Sequence, residues 1–228
     1  MFNELRESVI TGKTRPQSWR NAQLKNFEEL LEANENKIIN ALKDDLGKPT
    51  TEAFFEIIAL KQELKLVKKN LHNWMRPRKV KVPLSLQPGE AMVEFEPLGC
   101  VLIIGPWNYP FSLTLQPLIS ALAAGNTAII KPSENAPATS QLIADLVEKH
   151  LSSESVKVVQ GDATVASSLL EEPFDHIFFT GGGQIGKKIM SAASKHLTPV
   201  TLELGGKSPA IIIEGADLKV TARRLIWG

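Results

Sequence analysis

The sequence has little of what several classes of protein depend on. It holds one cysteine, Cys100, so no disulfide can form within the chain. Its longest apolar runs, such as Val101–Ile104 and Ile211–Ile213, are far too short to span a bilayer. The first residues, Met1–Ser8, are charged and lack the apolar core of a signal peptide. These absences exclude a disulfide framework and favour a cytoplasmic protein without a membrane segment.

An excess of charge of either sign is also missing. Lysine and arginine number 26 against 25 aspartate and glutamate residues, which leaves a net charge of +1. This balance gives no electrostatic footprint for nucleic acid, so we expect no nucleic-acid partner. The histidines are not spaced as metal ligands, and we predict neither a metal site nor a Ser-His-Asp triad. They are His72, His150, His176 and His196.

The first 76 residues have the periodicity of amphipathic helices. Apolar residues recur at helical spacing from Trp19 to Leu46, and Gly47–Pro49 is a plausible stop before a further helix over about 51–74. We interpret residues 1–76 as a helical region that packs on the rest of the chain. Over 77–97 the pattern alternates with period two, which predicts a hairpin with strands at 80–84 and 92–96. This hairpin is a candidate oligomerisation element.

From residue 98 onward, short apolar runs alternate with helical segments. Strands are predicted over 100–104, 127–130, 156–159, 176–179, 200–204 and 209–213. Helices are predicted over about 111–124, 138–150, 163–170 and 185–195, with another from about 218. This order predicts an α/β fold, in which residues 98–228 form a Rossmann-like parallel sheet with flanking helices. Ligands of such sheets bind beyond the carboxyl ends of the strands, where every motif below falls.

A glycine-rich segment, Phe179-Thr-Gly-Gly-Gly-Gln-Ile-Gly186, follows one predicted strand and opens a predicted helix. Glycine lets the backbone approach a ligand closely, and a helix N-terminus offers free N–H groups to a pyrophosphate. The segment is not the usual G-x-G-x-x-G pattern, and a purely structural turn is the alternative. The predicted cofactor-binding residues here are Gly181, Gly182, Gly183, Gln184, Ile185 and Gly186.

Two charged residues, Lys131 and Glu134, lie at the end of the second predicted strand. An acidic side chain in this place can hold the ribose hydroxyls of a dinucleotide. A surface ion pair around a turn is the alternative. Because Glu134 would repel a ribose 2′-phosphate, NAD is favoured over NADP, although NADP stays open.

A loop stiffened by prolines, Gly105-Pro-Trp-Asn-Tyr-Pro110, follows the first predicted strand. Asn108 can donate its side-chain N–H to a developing oxyanion, and Trp107 can form a wall of the pocket. The alternative is that Asn108 caps the following helix, and both roles are compatible. The predicted cofactor contacts at this end of the strand are Ile104, Gly105, Pro106 and Trp107.

A single carboxylate, Glu203, alternates with leucines in Thr201-Leu-Glu-Leu-Gly-Gly-Lys207. The alternation places Leu202 and Leu204 on the opposite face of the strand. A carboxylate in apolar surroundings has a raised pKa and suits a general base near neutral pH. A solvated strand end is the alternative. Cys100, within an apolar run, is predicted to be buried and inert.

As a set, these segments resemble the aldehyde dehydrogenase superfamily. Gly-Pro-Trp-Asn-Tyr-Pro, Lys-Pro-Ser-Glu, Phe-Thr-Gly-Gly and Leu-Glu-Leu-Gly-Gly-Lys occur in that family's order and at plausible spacing. The N-terminal region, with Gly12–Pro16 and Trp19-Arg20, resembles the class 3, fatty aldehyde and coniferyl aldehyde branch. The resemblance covers essentially the whole chain, and together the motifs are highly specific.

The resemblance implies oxidation of an aldehyde to a carboxylic acid with NAD or NADP. In that family a cysteine thiolate attacks the aldehyde, the asparagine that matches Asn108 holds the oxyanion, and hydride passes to the nicotinamide. Water activated by the glutamate that matches Glu203 then releases the acid. Lys131 and Glu134 match the residues that hold the adenosine ribose, and the turn at 181–186 matches the pyrophosphate turn. A homodimer is implied for the complete enzyme.

The resemblance also places the nucleophile a few tens of residues beyond Leu-Glu-Leu-Gly-Gly. Cys100 stands at an apolar strand position and is no substitute. We therefore expect an N-terminal portion that lacks the catalytic domain, exposes apolar surface and does not oxidise aldehydes alone. One alternative is a non-catalytic nucleotide-binding or oligomerising remnant. Another is an acyl-CoA or acyl-phosphate reductase of the same fold, against which Glu203 argues because an enzyme that avoids hydrolysis has less need of a water-activating base.

Overall fold

The computed structural model describes residues 1–227. The N-terminal region forms three helices, α1 (Phe2–Ile10), α2 (Gln17–Leu46) and α3 (Thr50–Trp74). α2 ends at Gly47, whose φ of 65° is left-handed, so the predicted stop is confirmed. Among the helices of residues 1–227, none combines the length and apolar character that crossing a bilayer requires.

The segment between α3 and the main sheet forms a short antiparallel hairpin. β1 (Arg78–Val80) pairs with β2 (Ala91–Val93). The predicted strands over 80–84 and 92–96 are wrong in their bounds, since Leu84–Leu86 forms a 3-10 helix. Both strands are exposed throughout, so no buried face fixes which residues pair.

The other strands form one five-stranded parallel sheet in the order β5-β4-β3-β6-β7. They are β3 (Cys100–Ile104), β4 (Thr127–Lys131), β5 (Val156–Val158), β6 (His176–Gly181) and β7 (Val200–Leu204). The helices that connect them are α4 (Ser112–Ala123), α5 (Pro137–His150), α6 (Ala163–Leu169) and α7 (Gly183–Ala193). The predicted α/β fold with a Rossmann-like sheet is confirmed. Because the chain runs outward from β3 to β5 and returns to β6, the strand order reverses between β3 and β6.

Two separate cores cover the two faces of this sheet. Side chains alternate along β3, so Val101 and Ile103 pack with α2, α3, α4 and α5, on what we call the α4 face. Leu102 and Ile104 point the other way and pack with α1 and α7, on the α7 face. Within the described residues, the helical region 1–76 thus shares its cores with the sheet.

The last part of the described chain leaves the sheet at the edge strand β7. The strand predicted over 209–213 is wrong, because no strand of residues 1–227 pairs there. Ile211 is 83% and Ile213 is 74% exposed, so this apolar run has neither a hydrogen-bonding neighbour nor a core to cover it. α8 (Leu218–Trp227) follows, as predicted, and buries none of its side chains. The expected exposure of apolar surface is confirmed.

Candidate active site

A cleft of about 1280 Å³ runs from the carboxyl edge of the parallel sheet along its α4 face, where Val101 and His176 line it near the amino ends of β3 and β6. It opens at the reversal between β3 and β6, where open α/β sheets bind their ligands. The predicted site residues that line it are Ile104, Gly105, Pro106, Trp107, Asn108, Lys131, Glu134, Gly181, Gly182, Ile185 and Glu203. Gly183, Gln184 and Gly186 lie on the first turn of α7, outside the lining. The structure therefore brings the separate motifs together in one cavity.

The cleft has parts on both faces of the sheet, because its lining includes Phe178 from the α4 face and Ile104 from the α7 face. Glu203 pairs with Thr180, which alternates with Phe179, so the Glu203 side chain lies on the α4 face. Lys131 pairs with Ile104, so it lies on the α7 face. We call these the α4-side lobe and the α7-side lobe. A ligand in both lobes has to cross the tips of β3 and β6.

Sequence reasoning missed the helical walls of both lobes. In the α7-side lobe, α6 and the residue after it contribute Ala163, Ala166, Ser167 and Leu170. In the α4-side lobe, the helix α4 contributes Gln116, Pro117 and Ser120, and the strand β6 contributes His176 and Phe178. The small residues of α6 recur at i, i+3 and i+4, so they lie on one face of the helix. This spacing could have predicted a helix face that a flat ligand can approach.

Two glycines at the cleft are needed for different reasons. A β-carbon on Gly105 would come within 1.9 Å of the Thr114 hydroxyl oxygen, so only glycine fits under α4. The Gly105 N–H donates to the Lys131 carbonyl at 3.0 Å, which ties the loop after β3 to β4. A β-carbon on Gly182 would meet no atom within 4 Å, so the space above it is open to a ligand.

The N-terminus of α7 faces this open space without a side-chain cap. Gly182 is the N-cap residue and has no side chain to accept from the first N–H groups. Gly186, one turn later, lies against β7, and a β-carbon there would come within 3.1 Å of the Leu204 side chain. The backbone N–H groups at Gly182–Gly183 are therefore free to donate to a ligand. Gly186 is instead explained by its close packing against β7.

The Lys131–Glu134 pair lies at the end of β4. Lys131 is 3% exposed, and its Nζ donates to the Pro132 carbonyl and to Glu134 Oε2, each at 2.8 Å. Burial alone would raise the pKa of Glu134, but the hydrogen bond and charge of Lys131, with a backbone N–H, outweigh it and lower the pKa. The Glu134 side chain is 42% exposed, so its carboxylate is accessible from the cleft.

Asn108 is exposed at the cleft and makes no hydrogen bond within residues 1–227. The alternative that it caps α4 is wrong. The carboxylate of Glu56 accepts from the Phe111 N–H at 3.1 Å and the Ser112 N–H at 2.9 Å instead. The Asn108 side chain is therefore free to donate to a ligand.

Glu203 also borders the cleft but is exposed. The expected apolar surroundings are wrong for residues 1–227, because β7 is an edge strand and Glu203 is exposed on it. The alternation is confirmed, since Leu202 and Leu204 point towards Gly186 on the α7 face. The Glu203 side chain therefore points to the predicted face of the strand, but it is exposed and not buried.

Cys100 is the first residue of β3, at the opposite end of the strand from the cleft. It is 0% exposed, and burial raises its pKa to about 12. The prediction that this thiol is buried is confirmed. Within residues 1–227, no three His, Cys, Asp or Glu side chains group as metal ligands.

Comparisons with known proteins agree with this geometry. The model of the Aldehyde dehydrogenase family matches residues 8–228. Aldehyde dehydrogenase family 3 member H1 of Arabidopsis thaliana is 49% identical over 229 residues, covering 100% of this chain and 47% of that protein. Aldehyde dehydrogenase family 3 member B1 of Bos taurus is 44% identical over 227 residues, covering 99% of this chain and 48% of that protein. The chain spans about half the length of the curated relatives it matches.

Solved structures show the same relation. The substrate-bound state of Staphylococcus aureus AldH superposes with a TM-score of 0.94 at 41% identity, covering 99% of this chain and 50% of that chain. An NADP-dependent enzyme of E. coli superposes with a TM-score of 0.83 at 25% identity, covering 97% of this chain and 46% of that chain.

Proposed function

The chain belongs to the aldehyde dehydrogenase family, and from this premise we propose that it forms the dinucleotide-binding part of an enzyme that oxidises an aldehyde to a carboxylic acid. The observation that carries the proposal is the single cleft that joins the glycine turn, the Lys131–Glu134 pair, Asn108 and Glu203. A nicotinamide dinucleotide would supply the hydride acceptor. The residues present fit such a group, since the space above Gly182 is open and the α7 N-terminus carries free donors.

In the proposed arrangement, the α7-side lobe takes the adenosine end of the dinucleotide. Glu134 accepts from ribose hydroxyls, and Lys131 holds the carboxylate in place from its buried side. The turn at Gly181–Gly182 accommodates the pyrophosphate. We propose NAD as the preferred cofactor, because the charge of Glu134 opposes a ribose 2′-phosphate. A relative of known structure is NADP-dependent, so competitive titration with both cofactors is the appropriate test.

The α4-side lobe takes the reacting carbonyl in this proposal. Asn108 donates a side-chain N–H to the oxygen as it gains charge, and Glu203 accepts a proton from the water that releases the acid. Cys100 supplies no thiolate, because it is buried at the far end of β3 with a pKa of about 12. In this proposal the nucleophile lies outside these 228 residues, which hold no other cysteine.

That same observation favours a second candidate function. A chain whose only thiol is buried could serve as a nucleotide-binding module without catalysis. The coding sequence that follows residue 228 separates the two: an in-frame segment with a cysteine supports aldehyde oxidation, and a stop codon supports the binding module.

The assembly and location of the protein also belong to the proposal. We propose a homodimer joined through residues 77–97, because the hairpin presents apolar side chains to solvent, with Leu84 90% and Leu86 64% exposed. The division into a helical region 1–76, this hairpin and a cofactor domain 98–228 remains a proposal. A cytoplasmic location is supported by the free Cys100.

The experiment that tests the catalytic roles uses the chain together with its continuation. Asn108→Ala should lower kcat by roughly 10²–10³-fold, the usual effect of removing one oxyanion donor. Glu203→Gln should block acid release while an initial burst of NADH remains. Glu214→Gln, another exposed carboxylate eleven residues along, is the matched control and should leave turnover unchanged. Unchanged turnover in both the Asn108 and Glu203 variants would exclude the proposed roles.

A further inference from the structure

The corner between α2 and α3 contains a buried carboxylate that the proposed reaction does not use. Glu56 is 2% exposed and lies on α3. Its Oε2 accepts three hydrogen bonds: from the Phe111 N–H at 3.1 Å, the Ser112 N–H at 2.9 Å and the Ser112 hydroxyl at 3.1 Å. Its Oε1 accepts from Lys48 Nζ at 2.7 Å. Glu56 is therefore fully bonded, and every group except Lys48 belongs to the start of α4.

Lys48 extends this contact to the residue beside Asn108. Its side chain is 11% exposed, and its Nζ lies 3.8 Å from the centroid of the Tyr109 ring. An ammonium over an aromatic face is attracted to it, more strongly when water is excluded. Lys48 thus donates a hydrogen bond to Glu56 and makes a cation–π contact with Tyr109.

The loop that presents Asn108 is consequently held at both ends. At its start, Gly105 packs under Thr114 and donates to the Lys131 carbonyl. At its end, Tyr109 contacts Lys48, and Phe111 and Ser112 donate to Glu56. Asn108 itself makes no hydrogen bond within residues 1–227, so its position depends on these anchors.

α4 needs an acceptor from elsewhere in the chain. Its N-cap residue is Phe111, whose side chain cannot accept a hydrogen bond. α5 has the same deficiency, with Ala136 as N-cap, and Asp45 accepts from the Ala138 N–H at 2.9 Å and the Thr139 N–H at 2.7 Å. The α2–α3 corner therefore caps both helices that follow the motif loops of β3 and β4.

We propose that Glu56, together with Lys48, is a positioning residue for Asn108. Glu56 touches no reacting group. It fixes the first turn of α4, and Lys48 fixes Tyr109, so that the Asn108 side chain faces the α4-side lobe. The effect of this positioning on catalysis rests on the proposed function of Asn108. The positioning itself depends only on residues of this chain.

The experiment compares Glu56 with Asp45 in the 228-residue chain. Glu56→Ala should make the Phe111 and Ser112 amides exchange with deuterium about tenfold faster, and leave the Ala138 and Thr139 amides unchanged. Asp45→Ala should have the reverse effect. This reciprocal pattern shows that the caps act separately, whereas equal acceleration of all four amides would overturn the proposal.

A second measurement reports on the loop itself and not on the helix. With 5-fluorotryptophan incorporated, Trp107 gives a fluorine resonance beside Asn108, and Trp19, Trp74 and Trp227 give internal references. Lys48→Met and Glu56→Gln should each shift the Trp107 resonance, whereas Asp45→Asn should not. If Trp107 stays unshifted in both corner variants, Glu56 is only a helix cap and the proposal fails.

Separate variants control for misfolding and test the effect on catalysis. Glu56→Gln keeps the shape and an acceptor oxygen, and Glu56→Gln with Lys48→Met removes the pair without leaving a lone buried charge. If Glu56→Ala does not fold, these variants carry the test. In the enzyme with its continuation, Glu56→Gln should lower kcat and leave the KM for NAD unchanged. A fluorine shift without a change in kcat would contradict the role of Asn108 in the reaction and leave the positioning intact.

Discussion

At the scale of single residues, the site depends on glycines at positions where a side chain would clash with the protein or fill space needed by a ligand. Gly105 has no room for a β-carbon, and Gly182 has room that a ligand can use. Both lie in glycine-containing loops at strand ends, and the sequence predicted both as cofactor contacts. It did not distinguish the two roles, because the Thr114 hydroxyl that excludes a side chain at Gly105 arrives from α4 through the fold.

Replacing each of these two glycines by alanine should change the free energy of unfolding by different amounts. Gly105→Ala would place its methyl carbon 1.9 Å from the Thr114 Oγ1 atom, and we expect a loss of about 1–3 kcal/mol in the free energy of unfolding. Gly182→Ala, with nothing within 4 Å, should lower it by less, about 0.5–1 kcal/mol, because alanine is a poorer N-cap than glycine. Urea denaturation of both variants measures this. Equal stability of the two variants would contradict the packing at Gly105.

Glu134 predicts a dependence of stability on acid. Its folded-state pKa is lowered from the ordinary value of 4.5, so its contribution is fully present above that value and is lost as the pH falls through the folded-state pKa. Between about pH 5 and pH 3, the free energy of unfolding should fall more steeply for the native chain than for Glu134→Gln. The effect should be modest, because the side chain is 42% exposed.

Equilibrium unfolding at several pH values tests this, with Glu148→Gln as the control. Glu148 is exposed and has no ion pair within residues 1–227. The Glu148 variant should follow the native curve in slope. If the Glu134 variant does so too, the ion pair with Lys131 contributes nothing to stability.

At the scale of elements, burial separates what the sequence predicts from what it does not. The strands β3 and β4 are buried at every position, and their apolar runs predicted them closely. The hairpin and the run at 209–213 have no buried face, so their patterns did not fix pairing. Glu56 was not predicted at all, because the amides it caps lie 55 and 56 residues away in sequence.

The hairpin gives a prediction about assembly. Replacing Leu84 and Leu86 by glutamate should raise the dimer dissociation constant by at least about tenfold, because each buried leucine contributes about 1.5–3 kcal/mol. Leu197→Glu is the control, since Leu197 is 89% exposed against 90% for Leu84 but lies after α7. Sedimentation velocity at several concentrations measures both. A dimer that dissociates equally in the two variants, or in neither, would exclude the hairpin as the interface.

At the scale of the whole molecule, the sheet edge organises the function. The strand order reverses between β3 and β6, and the cleft at that point reaches both faces of the sheet. The α7-side lobe holds Lys131 of β4, the α4-side lobe holds Glu203, and Asn108 lines the same cleft from the loop between β3 and α4. One extended ligand across the strand tips accounts for all of these positions, and the sequence predicted this convergence from the motifs at strand ends alone.

Calorimetric titration of the 228-residue chain with NAD tests whether one dinucleotide occupies this cleft. We expect saturable one-to-one binding, weakened at least about tenfold by Gly182→Val, whose side chain would occupy the open space over the turn. Gly206→Val, equally open but outside the cleft lining, should bind NAD as the native chain does. Absence of saturable binding by the native chain, or equal binding by both valine variants, would contradict it.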